Sequence, residues 1–350
     1  MDRPGVPAMI DLSANENPFG PSEHAIRAIA AGASRVHRYP DGDGARLKAV
    51  LGKALAVEAG QIVLGNGSCE VIELTARALL GAGDEAVLGW PSFPAYRSII
   101  ARTGASAVLV PLAQWAYDLD AMAERITERT RLVILANPNN PTGLALGGAA
   151  LAGFLDRLPE GVVVIVDEAY GEYVWQPDFA DALGQVRQGR PLMVTRSLSK
   201  AYGLAGLRLG FGVAPAPLAR RVDGLRQHFN TGCLAQDAAI AAFGDRDHLA
   251  RCVALTAANR HWLAERLAAL GLTVPPSQAN FLVVRVGNGR EVFERLRSMG
   301  VLVKALDAVG LNDCIRVSVG RHEENERFVR ALEAVLGTTE MKEAICCRPI

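Results

Sequence analysis

The run VVVIVDEAY, residues 162–170, and the run PLMVTRSLSKAYGLAGLRLGFG that follows at residues 191–212 decide the fold. Residues Val162 to Val166 are all β-branched, which reads as a strand buried on both faces, inside a parallel sheet and not at its edge. PLMVT is a second such run, and it ends in a glycine-rich stretch bearing Ser197, Ser199, Lys200 and Arg208. Working outward, short apolar runs recur at IVLGNG (62–67), AVLGW (86–90), SAVLV (106–110), RLVILA (131–136) and LGFGV (209–213). Between them Leu119, Met122, Ala123 and Ile126 repeat at helical spacing, as do Leu151, Phe154, Leu155 and Leu158. Alternating strands and helices predict an α/β fold with a mostly parallel central sheet covered on both faces. After about residue 245 the texture changes to a long helix through Trp262 and Leu270, strands FLVVRV and CIRVSV around a further helix, and a last helix to about Leu336. That pattern predicts a large unit at residues 40–245, a smaller α+β unit made of 1–39 with 246–336, and a weakly periodic tail at 337–350.

The composition narrows the class. At roughly 150 residues per domain, 350 residues make about two domains with a large buried core. The 37 Lys and Arg balance 37 Asp and Glu, so no basic field exists to hold nucleic acid or an anionic membrane. A small-molecule protein is the expectation. Cys69, Cys233, Cys252, Cys314, Cys346 and Cys347 lack zinc-site spacing and are too sparse for a disulfide framework, and the six histidines show no metal spacing either. No apolar run approaches 18 residues, and the first residues resemble no export signal. A cytoplasmic chain fits these features.

In an open parallel sheet ligands bind beyond the carboxyl ends of the strands, so polar residues just after strand runs carry the argument. Asp167 closes the most apolar run, with Glu168 and Tyr170 directly after it. A carboxylate there needs a partner, because burying it alone costs several kcal/mol, about 3 to 5. Ser197, Ser199, Arg208 and glycine-freed amides make an anion cradle, and Lys200 among apolar neighbours can lose its proton and act as a nucleophile. Lysine beside a phosphate cradle suggests a Schiff base with a phosphorylated aldehyde. Gly67 and Ser68 open the helical stretch SCEVIELTARALL, whose amides offer a second phosphate contact, with plain helix capping by Ser68 as the alternative. NPNNPTG (137–143) follows RLVILA, and its prolines fix a turn that presents the Asn140 amide. Neither GxGxxG nor GxxxxGK[ST] is completed, which argues against dinucleotide and P-loop sites.

Together these segments resemble the class I/II, fold-type I pyridoxal-phosphate aminotransferases, and among them the histidinol-phosphate aminotransferase family. The resemblance runs in unbroken order from about residue 10 to 335 through LSANENPFGPS, HRYPDG, GNGSCEVIEL, WPSFPAYRS, NPNNPTG, VVDEAY, TRSLSKAYGLAGLRLGF, PSQANFLVV and CIRVSVG. It implies pyridoxal 5'-phosphate as cofactor, held covalently by Lys200, which then shuttles the substrate proton. It implies Asp167 on the pyridinium nitrogen, Asn140 and Tyr170 on the phenolic oxygen, and Phe93 stacked on the ring. Ser68, Ser197, Ser199 and Arg208 would hold the phosphate with the Cys69 backbone, and Tyr39 would reach it from the partner subunit of a homodimer. Arg316 would bind a substrate carboxylate, with Asn15 and Lys304 on the substrate side.

The same resemblance implies an amino-group transfer between L-histidinol phosphate and 2-oxoglutarate. Three departures bear on substrate. The chain begins after the place of an amino-terminal Pro-Tyr segment that contacts substrate phosphate in the family. Lys304 stands where an arginine is usual, a point charge in place of a fork. Cys69 stands where an acidic residue is common. The alternatives are a paralogue acting on aromatic amino acids, or a decarboxylase of the threonine-phosphate type. A nicotinamide oxidoreductase lacks its glycine fingerprint here, and a DNA-binding regulator has no residues left for its second domain.

Overall fold

A computed structural model describes residues 9–337. Its strands are β1 (Ile10–Asp11), β2 (Ile62–Gly65), β3 (Glu85–Trp90), β4 (Ser106–Pro111), β5 (Thr130–Ala136), β6 (Val163–Asp167), β7 (Leu192–Ser197), β8 (Gly210–Val213), β9 (Phe281–Arg285), β10 (Val301–Leu302), β11 (Lys304–Ala305) and β12 (Cys314–Ser318). Seven of them form the central sheet in the order β2-β8-β7-β6-β5-β3-β4. The β-branched run at 163–167 is fully buried in the middle of that order, because neither of its faces is polar. Side chains alternate strictly across the sheet. Val164, Val166, Val133 and Val194 enter one core layer, whereas Ile165, Ile134, Leu132 and Met193 enter the other.

The sheet departs from all-parallel at one strand. β8 runs antiparallel to both β2 and β7. The glycine-rich connection from Ser197 to Gly210 holds only a three-residue helical turn, Ala205–Leu207, and lacks the packed crossover helix that a parallel return usually uses. Two of the expected helical stripes also stop early: the helices end at Glu124 and Asp156, leaving Ile126 and Leu158 to pack from the following turns.

A three-stranded sheet, β11-β12-β9, packs on the helices Arg246–Ala269 and His322–Leu336 through Leu282, Val284, Ile315, Leu263, Phe328 and Leu332. β1 pairs in parallel with β10, so the amino-terminal segment is stitched to residues almost three hundred positions later. The expected tail beyond Gly337, with Cys346 and Cys347, lies outside the described residues.

Candidate active site

The carboxyl ends of β2, β3, β5, β6 and β7 open on one cavity of about 520 Å³. Thirteen of the residues singled out in the sequence line it: Asn15, Ser68, Cys69, Phe93, Asn140, Asp167, Tyr170, Ser197, Ser199, Lys200, Arg208, Lys304 and Arg316. Tyr39 is the one that does not. It is 82% exposed and stacks on Phe229 with ring centroids 4.6 Å apart.

Asp167 ends β6 and is 7% exposed. Its Oδ2 accepts from Tyr96 Oη at 2.7 Å, and its Oδ1 from Thr195 Oγ1 at 2.9 Å and the Ala169 amide at 3.2 Å. A carboxylate has about four lone-pair positions, so one on Oδ2 is left for a donor in the cavity. Burial pushes this carboxyl above its ordinary range, and the bonds from Tyr96 and Thr195 pull it back. A cationic or protonated ring nitrogen beside it would complete the compensation.

Lys200 follows β7 and donates from Nζ to the Ala14 carbonyl at 3.0 Å. Burial, then the charge of Arg316, lowers its pKa to about 8, so an amine able to attack is within reach near neutral pH. Tyr170 lies beneath it, its ring centroid 5.8 Å from Nζ. The Tyr170 hydroxyl accepts from Asn15 Nδ2 at 3.0 Å and Asn140 Nδ2 at 3.4 Å.

Arg316 on β12 is 8% exposed. It donates through Nη1 to Asn140 Oδ1 and through Nη2 to the Ser13 carbonyl, both at 2.6 Å, while its buried Nε has no partner among the described residues. Burial lowers its pKa, and an incoming carboxylate would restore what burial removes. Lys304 stands opposite Arg316 in the β11–β12 register and is exposed at the cavity rim.

The anion cradle is built from backbone as much as from side chains. Ser68 is the first residue of the helix Ser68–Leu79, and its hydroxyl makes no capping bond, which sets aside the capping alternative. Gly67 takes φ +81°, and a Cβ there would lie 2.6 Å from Arg208 Nη2. Gly210 presses on the same helix start, where a Cβ would sit 2.2 Å from the Ser68 amide nitrogen. Arg208 itself adopts φ +53° and Asn15 φ +54°, left-handed conformations costing about 1 kcal/mol for such residues. Both line the cavity, as strained residues at working sites do. Arg208 Nη1 reaches Ser199 Oγ at 3.3 Å, and Ser197 Oγ accepts the Ser199 amide at 3.1 Å.

Sequence reasoning missed three contributors. Tyr96, within WPSFPAY, packs edge-on against Phe93 and supplies the shortest bond to Asp167. Thr195 pairs with Asp167 across β6 and β7, legible only once the register of the two strands is known. Arg196 holds the buried Glu168 through Nη2 at 2.7 Å, clamping the two strand ends that carry Asp167 and Ser197. Cys69 sits beside the cradle with its thiol pushed up by burial, a neutral side chain rather than a nucleophile.

A desolvated lysine, a buried carboxylate with a vacant lone pair, a hydroxyl-and-arginine cradle and a buried arginine with a free donor meet here on one α/β scaffold, and they suit an amino-group-transferring enzyme. The chain belongs to the family described as aminotransferase class I and II, which it matches over residues 7–332. It is 40% identical over 334 residues to the histidinol-phosphate aminotransferase of Moorella thermoacetica, covering 95% of this chain and 86% of that one. It is 44% identical over 333 residues to histidinol-phosphate aminotransferase 1 of Nitrosococcus oceani, covering 95% and 90%. Its fold superposes with a TM-score of 0.88 on the Sinorhizobium meliloti histidinol-phosphate aminotransferase solved in complex with pyridoxal-5'-phosphate. That protein is 29% identical, with 94% of this chain and 91% of that chain covered.

Proposed function

We propose that this enzyme is a histidinol-phosphate transaminase that exchanges an amino group between L-histidinol phosphate and 2-oxoglutarate, using pyridoxal 5'-phosphate. The observation that carries the reading is the convergence of Lys200, Asp167, Arg208 and Arg316 on one cavity, in which the open acceptor of Asp167 matches that cofactor's nitrogen and the open donor of Arg316 a substrate carboxylate. The relatives at 40% and 44% identity support the choice of substrate. When bound, pyridoxal 5'-phosphate supplies an aldehyde that takes up the amino group and a ring that accepts the electrons left when the Cα proton departs.

Asp167 would hold the ring nitrogen, and Ser68, Ser197, Ser199, Arg208 and the Cys69 amide the phosphate. Phe93 would cover the ring face. Asn140 and Tyr170 would donate to its phenolic oxygen, both already turned inward by Arg316 and Asn15. Lys200 would carry the proton at Nζ, since a lysine titrating near 8 can both accept and return it. Arg316 would seat the carboxylate of glutamate, and Lys304, with Asn15 beside it, would face the phosphate of histidinol phosphate. We further propose a division into a cofactor-binding unit at 40–245 and a smaller unit made of 1–39 with 246–336. The two would close on the substrate. A homodimer is proposed in which the exposed Tyr39 serves the partner's cofactor phosphate. No helix among the described residues is long and apolar enough to cross a membrane, and a cytoplasmic setting is proposed.

The test is a single-turnover absorbance titration of cofactor-loaded enzyme, offering L-histidinol phosphate, L-histidinol, L-phenylalanine and L-glutamate separately. Histidinol phosphate is expected to convert the cofactor at least about 100-fold faster than histidinol, because Lys304 and its surroundings gain a charged partner. Faster conversion with phenylalanine would give the substrate to the aromatic paralogue, and loss of carbon dioxide in place of amino transfer would make the enzyme a decarboxylase.

A further inference from the structure

We propose that a second cavity, between the helix Arg246–Ala269 and residues 272–277, binds a small-molecule carboxylate with a flat apolar body, its carboxylate seated on Arg260. This cavity measures about 620 Å³, no smaller than the first. Its walls are mainly apolar, with Ala257, Ala264, Leu272, Val274 and Pro276 along the sides and Trp175 at the edge. Trp175 is 66% exposed, an unusual place for the largest apolar side chain unless a flat ligand covers it.

Arg260 is the polar exception. It is 6% exposed and donates once, from Nη1 to the Ala279 carbonyl at 2.8 Å. Burial pulls its pKa down to about 10, and no carboxylate among the described residues offsets it. Among the described residues on the cavity wall the only acid, Glu265, is exposed and pairs with His261 at 3.2 Å. A guanidinium has five N–H donors in a fork that fits a carboxylate, so a buried one with one bond made is an anion receptor in chemistry as well as charge. An uncharged ligand would leave that receptor unfilled, and a polyanion would meet apolar walls.

The cavity is separate from the catalytic one, with no lining residue in common, and the segment 275–280 connects them. Ser277 packs against Gly143, whose added Cβ would lie 2.2 Å from Ser277 Oγ, and the Gln278 amide donates to the Gly143 carbonyl at 2.7 Å. Gln278 Oε1 in turn accepts the Trp175 amide at 3.2 Å. Two residues on, Asn280 Nδ2 donates to the Asn15 carbonyl at 3.0 Å. Residues 275–277 thus line the second cavity, while Gln278 and Asn280 directly after them hold the Gly143 and Asn15 loops.

The experiment is a calorimetric titration of cofactor-loaded enzyme with 1-naphthoate, in saturating 2-oxoglutarate to occupy the catalytic cavity, with 1-naphthalenemethanol as the uncharged control. Binding of 1-naphthoate is expected to survive 2-oxoglutarate and to exceed that of the alcohol by at least about tenfold. Arg260→Gln should weaken it by a similar factor, and Ala264→Phe, which fills the half-buried wall and spares Arg260, should abolish it. If Arg260→Gln fails to fold, Ala264→Phe and the alcohol decide. The proposal is overturned if 1-naphthoate gives no binding, if 2-oxoglutarate displaces it, if the alcohol binds equally, or if Ala264→Phe binds as the unaltered enzyme does.

Discussion

Asp167 and Lys200 are both ionisable groups that folding has removed from water, and each is adjusted differently. Asp167 accepts from three donors, so replacing it by Asn should leave cofactor binding measurable while turnover falls by at least about 100-fold, as steady-state rates would show. Tyr96→Phe removes the shortest of those donors and leaves a buried acceptor short of a partner. A loss of about 1–3 kcal/mol, divided between stability and cofactor affinity, is expected in thermal melts and equilibrium dialysis. Lys200 is set toward its neutral form, with a pKa of about 8 against an ordinary 10.5. Capture of cofactor by the apoenzyme needs neutral Nζ, so its rate should climb about tenfold per pH unit below 8 and level off above. A rate still climbing toward pH 10 would contradict this. Stability follows the same sign: between about 8 and 10.5 the folded chain binds fewer protons than the unfolded one, so the cost of the buried ammonium is complete below 8 and fades as pH rises. Lys200→Met should therefore raise the apoenzyme Tm at pH 7 more than at pH 10.

At the scale of elements, the cradle depends on how closely β8 passes the start of the helix Ser68–Leu79. Gly210→Ala would drive a methyl group into the Ser68 amide, so that helix must shift outward. Destabilisation of about 1–3 kcal/mol is expected. Cofactor affinity should fall further than stability alone explains, which comparing melts with dialysis will show. The sequence disclosed much at this scale. Apolar runs placed β5, β6 and β7, and the polar residues after them placed the ends that open on the cavity. What it could not disclose was pairing. The reversed direction of β8 is a matter of which strands it pairs with, and the Thr195–Asp167 bond follows from register, neither of which a linear pattern contains. Arg316 and Asn140 meet from positions 176 residues apart, so the orienting of one by the other was invisible, although each was singled out by its own motif. Tyr96 was hidden differently: in its segment it looks like one more apolar helix residue, and only its buried hydroxyl betrays it.

For the molecule as a whole, the placement of Tyr39 makes the assembly testable. Its exposed ring lies outside the cavity of its own chain. If it serves a partner's cofactor, mixing Lys200→Ala chains with Tyr39→Ala chains, after unfolding and refolding together, creates mixed dimers with one intact site. About a quarter of the sites should then regain full activity, although neither parent has it. Failure of the mixture to exceed the sum of its parents would show that each chain works alone.

Asn15 illustrates what such long-range stitching entails for a chain while it is being made. Its amide donates to Ser318 Oγ at 2.8 Å across 303 positions, and its segment also answers to Asn280 and Arg316. Domains fold as they leave the ribosome, and the central sheet can close once residue 213 has emerged. The substrate half of the cavity cannot, because β1 waits for β10 and Asn15 waits for the end of β12. A growing chain would therefore own a phosphate cradle before it owned Arg316, and burial together with the Arg316 charge is what lowers the pKa of the Lys200 amine. The amine's reactivity would arrive together with the arginine proposed to bind the substrate carboxylate, so an unfinished chain would be spared reactions it could not direct.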